Sequence, residues 1–90
     1  MSSLDRAFID DLLSRIDIIE VIGNVIQLKK HGSGYKGLCP FHSENTPSFN
    51  VSNTKQFYHC FGCGASGDVI KFLREHDGLT FIEAIEKLAY

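Results

Sequence analysis

CPFH at residues 39–42 and CFGC at residues 60–63 are the two stretches that decide the fold of this chain. Each holds two metal-ligating side chains separated by two residues, so a tight turn can aim both of them at one ion. Glycines in and after the second stretch suit such a turn, because they relieve the backbone where it curls around the ion. Two complementary pairs joined by a hairpin-length segment predict a zinc ribbon. The expected tetrahedral ligand set is Cys39, His42, Cys60 and Cys63.

His59 is the alternative ligand, since it adjoins Cys60 in the sequence. The two residues fall on a predicted strand, where successive side chains point to opposite faces, so ligation of one ion by both is disfavoured. Four Cys and His ligands would leave no open position for a substrate water. No H-E-x-x-H motif occurs, and the complete deaminase signature, His-x-Glu followed by Pro-Cys-x-x-Cys, is absent. The zinc is therefore expected to be structural.

The length of the chain supports a metal-stapled fold. Ninety residues bury only a modest fraction of their surface, so a bound ion would add useful stability. We predict a single zinc-binding domain over residues 1–90, of the α+β class, with a small antiparallel sheet. Its zinc ribbon core is expected at about 25–64, with helical flanks at 4–23 and 67–90.

The first half of the chain predicts two helices followed by strands. Apolar residues repeat with a helical period over 4–16, and Asp17-Ile-Ile-Glu20 resembles a capping box for a short second helix. Alternating apolar and polar residues, bounded by turn residues, then predict four strands. They are expected at residues 25–30, 35–38, 48–52 and 56–60.

The remainder of the chain predicts two more helices. Gly67 or Asp68 can cap the first, which Asp77-Gly78 ends. Thr80-Phe-Ile-Glu83 is a full capping box that opens the second, and no residue stops this helix before Tyr90. The pattern favours a module that belongs to a longer protein.

The cysteine count bears on the compartment. Three cysteines cannot all pair within one chain, and acidic residues interrupt the start where a secretory signal would be apolar. We therefore expect reduced cysteines and a cytoplasmic location. No stretch is long and apolar enough to span a bilayer, so no membrane partner is expected.

The charge distribution points to a polyanion partner. The net charge is −2, and both flanks carry more acidic than basic side chains. Residues 25–63, in contrast, hold Glu44 as their sole acidic residue against four lysines: Lys29, Lys30, Lys36 and Lys55. A basic segment between acidic flanks favours a nucleic-acid surface, although four lysines taken alone are more typical of a solvated face.

Aromatic residues are concentrated in the same segment. Phe41 and Phe61 lie inside the two ligand pairs and are expected to pack beneath the zinc. Lys55, Phe57 and His59 alternate, so a strand would display them on one face. Rings that stack on bases and cations that follow phosphates are what single-stranded nucleic acid requires. The alternative, a buried Phe57 beside a solvated Lys55, remains open at this point.

Three longer motifs carry a family resemblance. L-K-K-H-G-x-x-Y-K-G-L-C-P-F-H-x-E-x-T-P-S-F at 28–49 and K-Q-F-Y-H-C-F-G-C-G-x-x-G-D-V at 55–69 resemble the N-terminal zinc-binding domain of bacterial DnaG-type DNA primases. I-D-D-L-L-S-R-I-D-I-I-E-V-I, from Ile9, resembles the opening helices of that family. The similarity covers nearly the whole chain, and the same four zinc ligands are implied.

The resemblance implies a function that the spacing does not show. The intact protein would be a DNA-directed RNA polymerase, a nucleotidyltransferase that makes short primers for DNA replication in the replisome. This module, not catalytic alone, would bind the single-stranded DNA template at initiation sites and assist the polymerase domain of its own or a neighbouring primase. Mg²⁺ or Mn²⁺ would be needed only in that polymerase domain, and a further domain would engage the replicative helicase.

The DNA-facing residues that we infer on this basis are Lys30, Lys36, Lys55, Phe57 and His59. Two alternatives are kept. The first is a zinc ribbon that docks a polymerase or helicase domain without touching DNA. The second is a thiol redox protein that uses Cys60 and Cys63, which would leave Cys39 and His42 unexplained.

Overall fold

Four helices and five strands make up the computed structural model, which describes residues 5–43 and 45–89. In chain order the elements are α1 Arg6–Arg15, α2 Ile18–Gly23, β1 Lys29–His31, β2 Gly34–Gly37, β3 Phe49–Ser52, β4 Phe57–Cys60, β5 Ser66–Gly67, α3 Val69–Asp77 and α4 Phe81–Ala89. The α+β class expected from the sequence is confirmed. The predicted helix start at Leu4 and the continuation to Tyr90 lie outside the described residues.

The five strands form one antiparallel sheet in chain order, β1-β2-β3-β4-β5. The register pairs Gly37 with Phe49 and Phe49 with Cys60, so the ends of three successive strands lie side by side. Because side chains alternate along a strand, Phe49, Val51, Tyr58 and Cys60 share one face, and all four are buried. We call this the covered face.

The helices close the core over the covered face. Ile18 and Ile22 of α2, four residues of α3 and two of α4 are buried with the strand residues in one hydrophobic cluster. Phe72 of α3 meets the Tyr58 ring edge-on, with 5.6 Å between centroids. Large aromatic rings bury much apolar area each, so these contacts contribute strongly to a core of this size.

Side-chain caps fix the helix ends. Asp17 accepts a hydrogen bond from Ile19 N at 3.0 Å, and Asp68 accepts one from Lys71 N at 2.9 Å. Thr80 Oγ1 accepts from Glu83 N at 3.1 Å, while Glu83 Oε1 accepts from Thr80 N at 2.9 Å. The capping box predicted at Thr80 is therefore confirmed, and Asp68 rather than Gly67 is the cap of α3.

The strand predicted over 25–30 was wrong for its first four residues, because β1 begins only at Lys29. Val25 N and Ile26 N both donate to Ile22 O at 2.9 Å, so these two residues complete the end of α2. The hydrogen bonds at the end of α2 therefore override the alternation of apolar and polar residues that predicted a strand here. The two-residue strand β5 was missed, because it is too short to show any alternation.

No helix within 5–43 and 45–89 has the length and apolar character needed to cross a lipid bilayer.

An ion pair joins α3 to α4, and its contribution to the free energy of unfolding should depend on pH. Lys87 Nζ lies 2.9 Å from Asp77 Oδ2, and His76 Nδ1 lies 2.7 Å from Asp77 Oδ1. Lys87 first and His76 second lower the pKa of Asp77. A lowered folded-state pKa contributes stability above the unfolded-chain value of about 4 and loses it as the pH falls through the folded-state value.

We expect Asp77→Asn to lower the free energy of unfolding by about 0.5–1 kcal/mol at pH 7, because the pair is partly exposed. The difference between parent and variant should narrow on acidification below about pH 4. Thermal unfolding of both proteins across pH measures it, and a double-mutant cycle with Lys87→Met isolates the pair. Equal midpoints at pH 7 would contradict the assignment.

Candidate metal centre

Two turns deliver the four predicted ligands to one place. Cys39 follows the end of β2 and His42 lies in the turn after it, whereas Cys60 ends β4 and Cys63 lies in the turn that follows. Their ligand atoms all lie within 4.8 Å of one another. Since β2, β3 and β4 pair side by side, the sheet itself holds the two turns together.

Backbone and hydroxyl groups surround the sulfur atoms. Phe41 N donates to Cys39 Sγ at 3.3 Å, and Gly62 N donates to Cys60 Sγ at 3.3 Å. Each donor stands two residues after its cysteine, so both turns curl in the same way. The Ser48 hydroxyl lies 3.4 Å from Cys60 Sγ. Such outer contacts orient metal ligands and favour the thiolate form.

Gly62 is required by the space at the centre. A Cβ built on this residue would lie 2.9 Å from His42 Nε2 and 2.8 Å from Ser48 Oγ. Both distances are shorter than van der Waals contact allows. The C-x-G-C turn therefore brings its backbone against the imidazole, and a larger residue at this position would have to displace the side chain of His42 or of Ser48.

The electrostatics of the three thiols favour a bound cation. Burial raises the pKa of the Cys39 thiol to about 12, and the neighbouring Cys60 and Cys63 add to the effect. Burial also opposes ionisation of Cys60, but hydrogen bonds from the Ser48 hydroxyl and from backbone N–H groups lower its pKa to about 7. Three adjacent sulfurs cannot all be thiolates without a positive charge between them.

The donor set fits zinc. Three sulfurs and one imidazole nitrogen are ligands that Zn²⁺ takes in a closed tetrahedral structural site. Among residues 5–43 and 45–89, no carboxylate that would favour a harder ion joins the cluster. The four residues thus form a Cys₃His zinc-binding site, and a Zn²⁺ ion there would tie the β2–β3 connection to the end of β4.

Phe41 and Phe61 differ from each other in their surroundings. The Phe41 ring contacts Phe72 at 5.7 Å and Tyr58 at 6.1 Å, which confirms that it packs in the core. The same expectation was wrong for Phe61, which is 74% exposed. Its ring meets the His59 ring edge-on at 4.5 Å instead.

The sheet face opposite the core carries the polar residues. We call it the open face, and it is defined by residues that alternate with the buried ones: Lys29, His31, Gly34, Lys36, Asn50, Ser52, Phe57, His59 and Ser66. The register aligns Lys36 with Asn50 and Asn50 with His59 across three strands. Phe57, exposed at 43%, lies in the adjacent row.

Four of the five predicted DNA-facing residues lie on or beside the open face, and the fifth lies on the other side of the sheet. Lys36, Phe57 and His59 share the open face, and Lys55 lies exposed in the turn that precedes β4. Lys30 projects from the other side of the sheet, where its Nζ lies 5.8 Å from the centre of the Tyr35 ring. His59 lies on the side opposite Cys60 and outside the ligand cluster.

Sequence reasoning missed Asn50 and Phe61 as residues of this surface. Asn50 is one polar residue among many, and only the register places it between Lys36 and His59. The alternation from Phe57 to Phe61 was a usable signal, because it continues the spacing of Phe57 and His59 by two residues.

The fold and the site define a class: a small α+β domain with a zinc ribbon whose Cys₃His centre lies at one end of an antiparallel sheet. The family model of the CHC2 zinc finger matches residues 4–90. The chain belongs to that family.

Relatives and a solved structure agree with this assignment. The chain is 55% identical to a DNA primase of Listeria monocytogenes over 99% of its length and 61% identical to one of Haemophilus influenzae over 97%. It spans 14% and 15% of those two proteins. The resemblance to bacterial primases that the sequence motifs indicated is confirmed.

The structural match is to the crystal structure of the Aquifex aeolicus primase, zinc-binding and RNA polymerase domains. The TM-score is 0.85 at 48% identity, and the match covers 90% of this chain and 20% of that one. The chain therefore has the fold of a primase zinc-binding domain.

Gly62→Ala tests the zinc site without removing a ligand. We expect zinc affinity to fall by about 10-fold or more, as when outer contacts of metal ligands are lost, because the added methyl group would displace His42. Competition with a chromophoric chelator measures the affinity. Gly23→Ala is the matched control, since a Cβ there meets nothing within 4 Å. Equal zinc affinity in the two variants would contradict the geometry.

Proposed function

We propose that this chain is the template-recognition module of a DNA primase, in which one structural Zn²⁺ bound by Cys39, His42, Cys60 and Cys63 fixes the sheet. The open face of that sheet binds single-stranded DNA at initiation sites. By holding the template, the module assists synthesis of short RNA primers for replication. The observation that carries the proposal is the open face itself, where cations and exposed rings stand together on the side opposite the core.

The composition of the open face supports this role. Lys29 and Lys36 stand directly opposite each other on β1 and β2, an arrangement of like charges that costs stability in the isolated protein. No ion pair to either lysine occurs within residues 5–43 and 45–89. A phosphate backbone would relieve the repulsion between them and release its own counterions.

The aromatic side chains supply the second element of a single-strand site. Phe57 and Phe61 are both exposed, and His59 lies between them in the sequence with its ring against Phe61. Exposed rings beside cations provide stacking platforms for unpaired bases, whereas the bases of a duplex are already stacked on each other. A groove of about 310 Å³ runs along these residues and Lys55.

The catalytic centre belongs to another part of the primase. Within this proposal the described residues contribute no catalytic group, and the Zn²⁺ supplies structure rather than chemistry. Primer synthesis would take place in a polymerase domain that binds Mg²⁺ or Mn²⁺, in the same primase or in a neighbouring one. The helicase contact would belong to a further domain, and the intact enzyme would work in the cytoplasm at the replisome.

Phe57→Ala and Lys36→Ala test the proposed surface. Phe57→Ala should weaken binding of a short single-stranded oligonucleotide by about 1–3 kcal/mol, the contribution of one stacked base. Lys36→Ala should reduce the slope of log K against log salt by about 0.7, as expected when one phosphate contact to a single strand is lost. Fluorescence anisotropy across a salt series measures both, and zinc content should be unchanged.

Lys30→Ala is the charge-matched control for Lys36→Ala. It removes the same charge from the neighbouring strand β1 but on the side of the sheet opposite the open face, so its effect should be smaller. Parent-like binding by both Phe57→Ala and Lys36→Ala would overturn the proposed surface. Absence of binding by the zinc-loaded parent at low salt would favour a module that docks another protein domain instead.

A further inference from the structure

Asn50 occupies the centre of the open face. It lies on the middle strand of the sheet, directly opposite Lys36 on one side and His59 on the other. Its side chain is half-buried and lines the groove that also contains Phe57 and Phe61. Directly opposed side chains of an antiparallel sheet stand about 5 Å apart, so a base resting on the platform would reach all three residues.

The amide of Asn50 is held in one orientation. Its Nδ2 donates to Ser48 O at 3.1 Å, and the same carbonyl accepts from Phe61 N at 2.9 Å. This bond uses one of the two amide hydrogens. Because Ser48 O is an acceptor, the amide atom that faces it is Nδ2, and the other is Oδ1. Because Phe61 N shares this acceptor, the Asn50 amide is tied to the loop that carries the second ligand pair.

The oxygen of the same amide has no hydrogen-bond partner among residues 5–43 and 45–89. Lys55 in the groove and Lys36, opposite Asn50, are donors that suit phosphates, and the phenylalanine rings offer no hydrogen bond. Asn50 Oδ1 is thus an oriented side-chain acceptor at the middle of a platform made of cations and rings. A base bound here can form a hydrogen bond with this oxygen only if it offers a donor.

Bases differ in the donor that they can offer. Cytosine and adenine carry an exocyclic amino group that projects beyond the ring, next to a ring nitrogen acceptor, and guanine carries its amino group next to a ring N–H. Uracil and thymine offer only a ring N–H, which is set between two carbonyl oxygens. These oxygens carry partial negative charge, as Oδ1 does, so they would repel it. An acceptor held at one point therefore discriminates in favour of amino-bearing bases.

We propose that Asn50 is a specificity-determining residue, whose Oδ1 accepts a hydrogen bond from the exocyclic amino group of one template base. The inference rests on the proposed function, because it requires the open face to hold a single strand. It deepens that function by naming the chemistry that is read. Lysines and rings then supply affinity, while Asn50 supplies preference among bases.

Oligonucleotides that differ only at the reading edge test this role. Short oligo-dC and oligo-dU have the same ring size and differ in an amino group against a carbonyl group, and oligo-dA and oligo-dI form the corresponding purine pair. At pH 8 and low salt, the zinc-loaded parent should bind dC over dU and dA over dI by about fivefold or more, the lower range for an amide–base contact.

Asn50→Ala should bring both ratios close to one, while general binding and its salt dependence persist. Asn24→Ala is the matched control, since it removes the same amide side chain from an exposed position at the end of α2, outside the open face. It should retain the parental ratios. Zinc content and circular dichroism check the fold of each variant, and Asn50→Ser serves if the alanine variant is unstable.

The outcomes separate the inference from the function on which it rests. Salt-dependent binding by the parent with equal affinity for dC and dU would overturn the role of Asn50 and leave the single-strand surface standing. Parental ratios in Asn50→Ala would overturn it as well. Failure of the zinc-loaded parent to bind any single strand at low salt would overturn both.

Discussion

Two turns of the chain converge on one point, and the sheet is built around their meeting. Four ligand atoms lie within 4.8 Å of one another, at a place where the ends of β2, β3 and β4 are already in register. A cation there compensates the charge of the buried thiolates, and its binding free energy becomes part of the folding free energy. Gly62, packed against His42, shows how little space the arrangement leaves.

The metal centre lies on one side of the sheet, and the proposed binding surface lies on the other. Cys60 and the buried aromatics point toward the helices, and alternation along β4 turns Phe57 and His59 to the other side. A sheet that uses one face for its core and metal is free to present the other to a partner. Ser48 links the two sides, because its hydroxyl approaches Cys60 Sγ while its carbonyl holds the Asn50 amide.

Much of this could be predicted from sequence, because the signals were local. The ligand spacing, the Thr80 capping box and the alternation of β3 and β4 each depend on residues within a few positions of one another. The start of β1 could not be predicted, since the hydrogen bonds of Val25 and Ile26 to Ile22 compete with the strand pattern. The orientations of Lys30 and Asn50 could not be predicted either, because they depend on the strand register. The register places Lys30 beside Tyr35 and Asn50 in the groove.

We propose that a sheet fixed by zinc presents a surface for single-stranded DNA. The most direct measurement compares binding of one oligonucleotide as a single strand and as a duplex, across a salt series, by the zinc-loaded protein and by the same protein after chelation. The account predicts salt-dependent binding that favours the single strand and disappears with the zinc. Equal affinity for single strand and duplex, or single-strand binding that survives zinc removal unchanged, would contradict it.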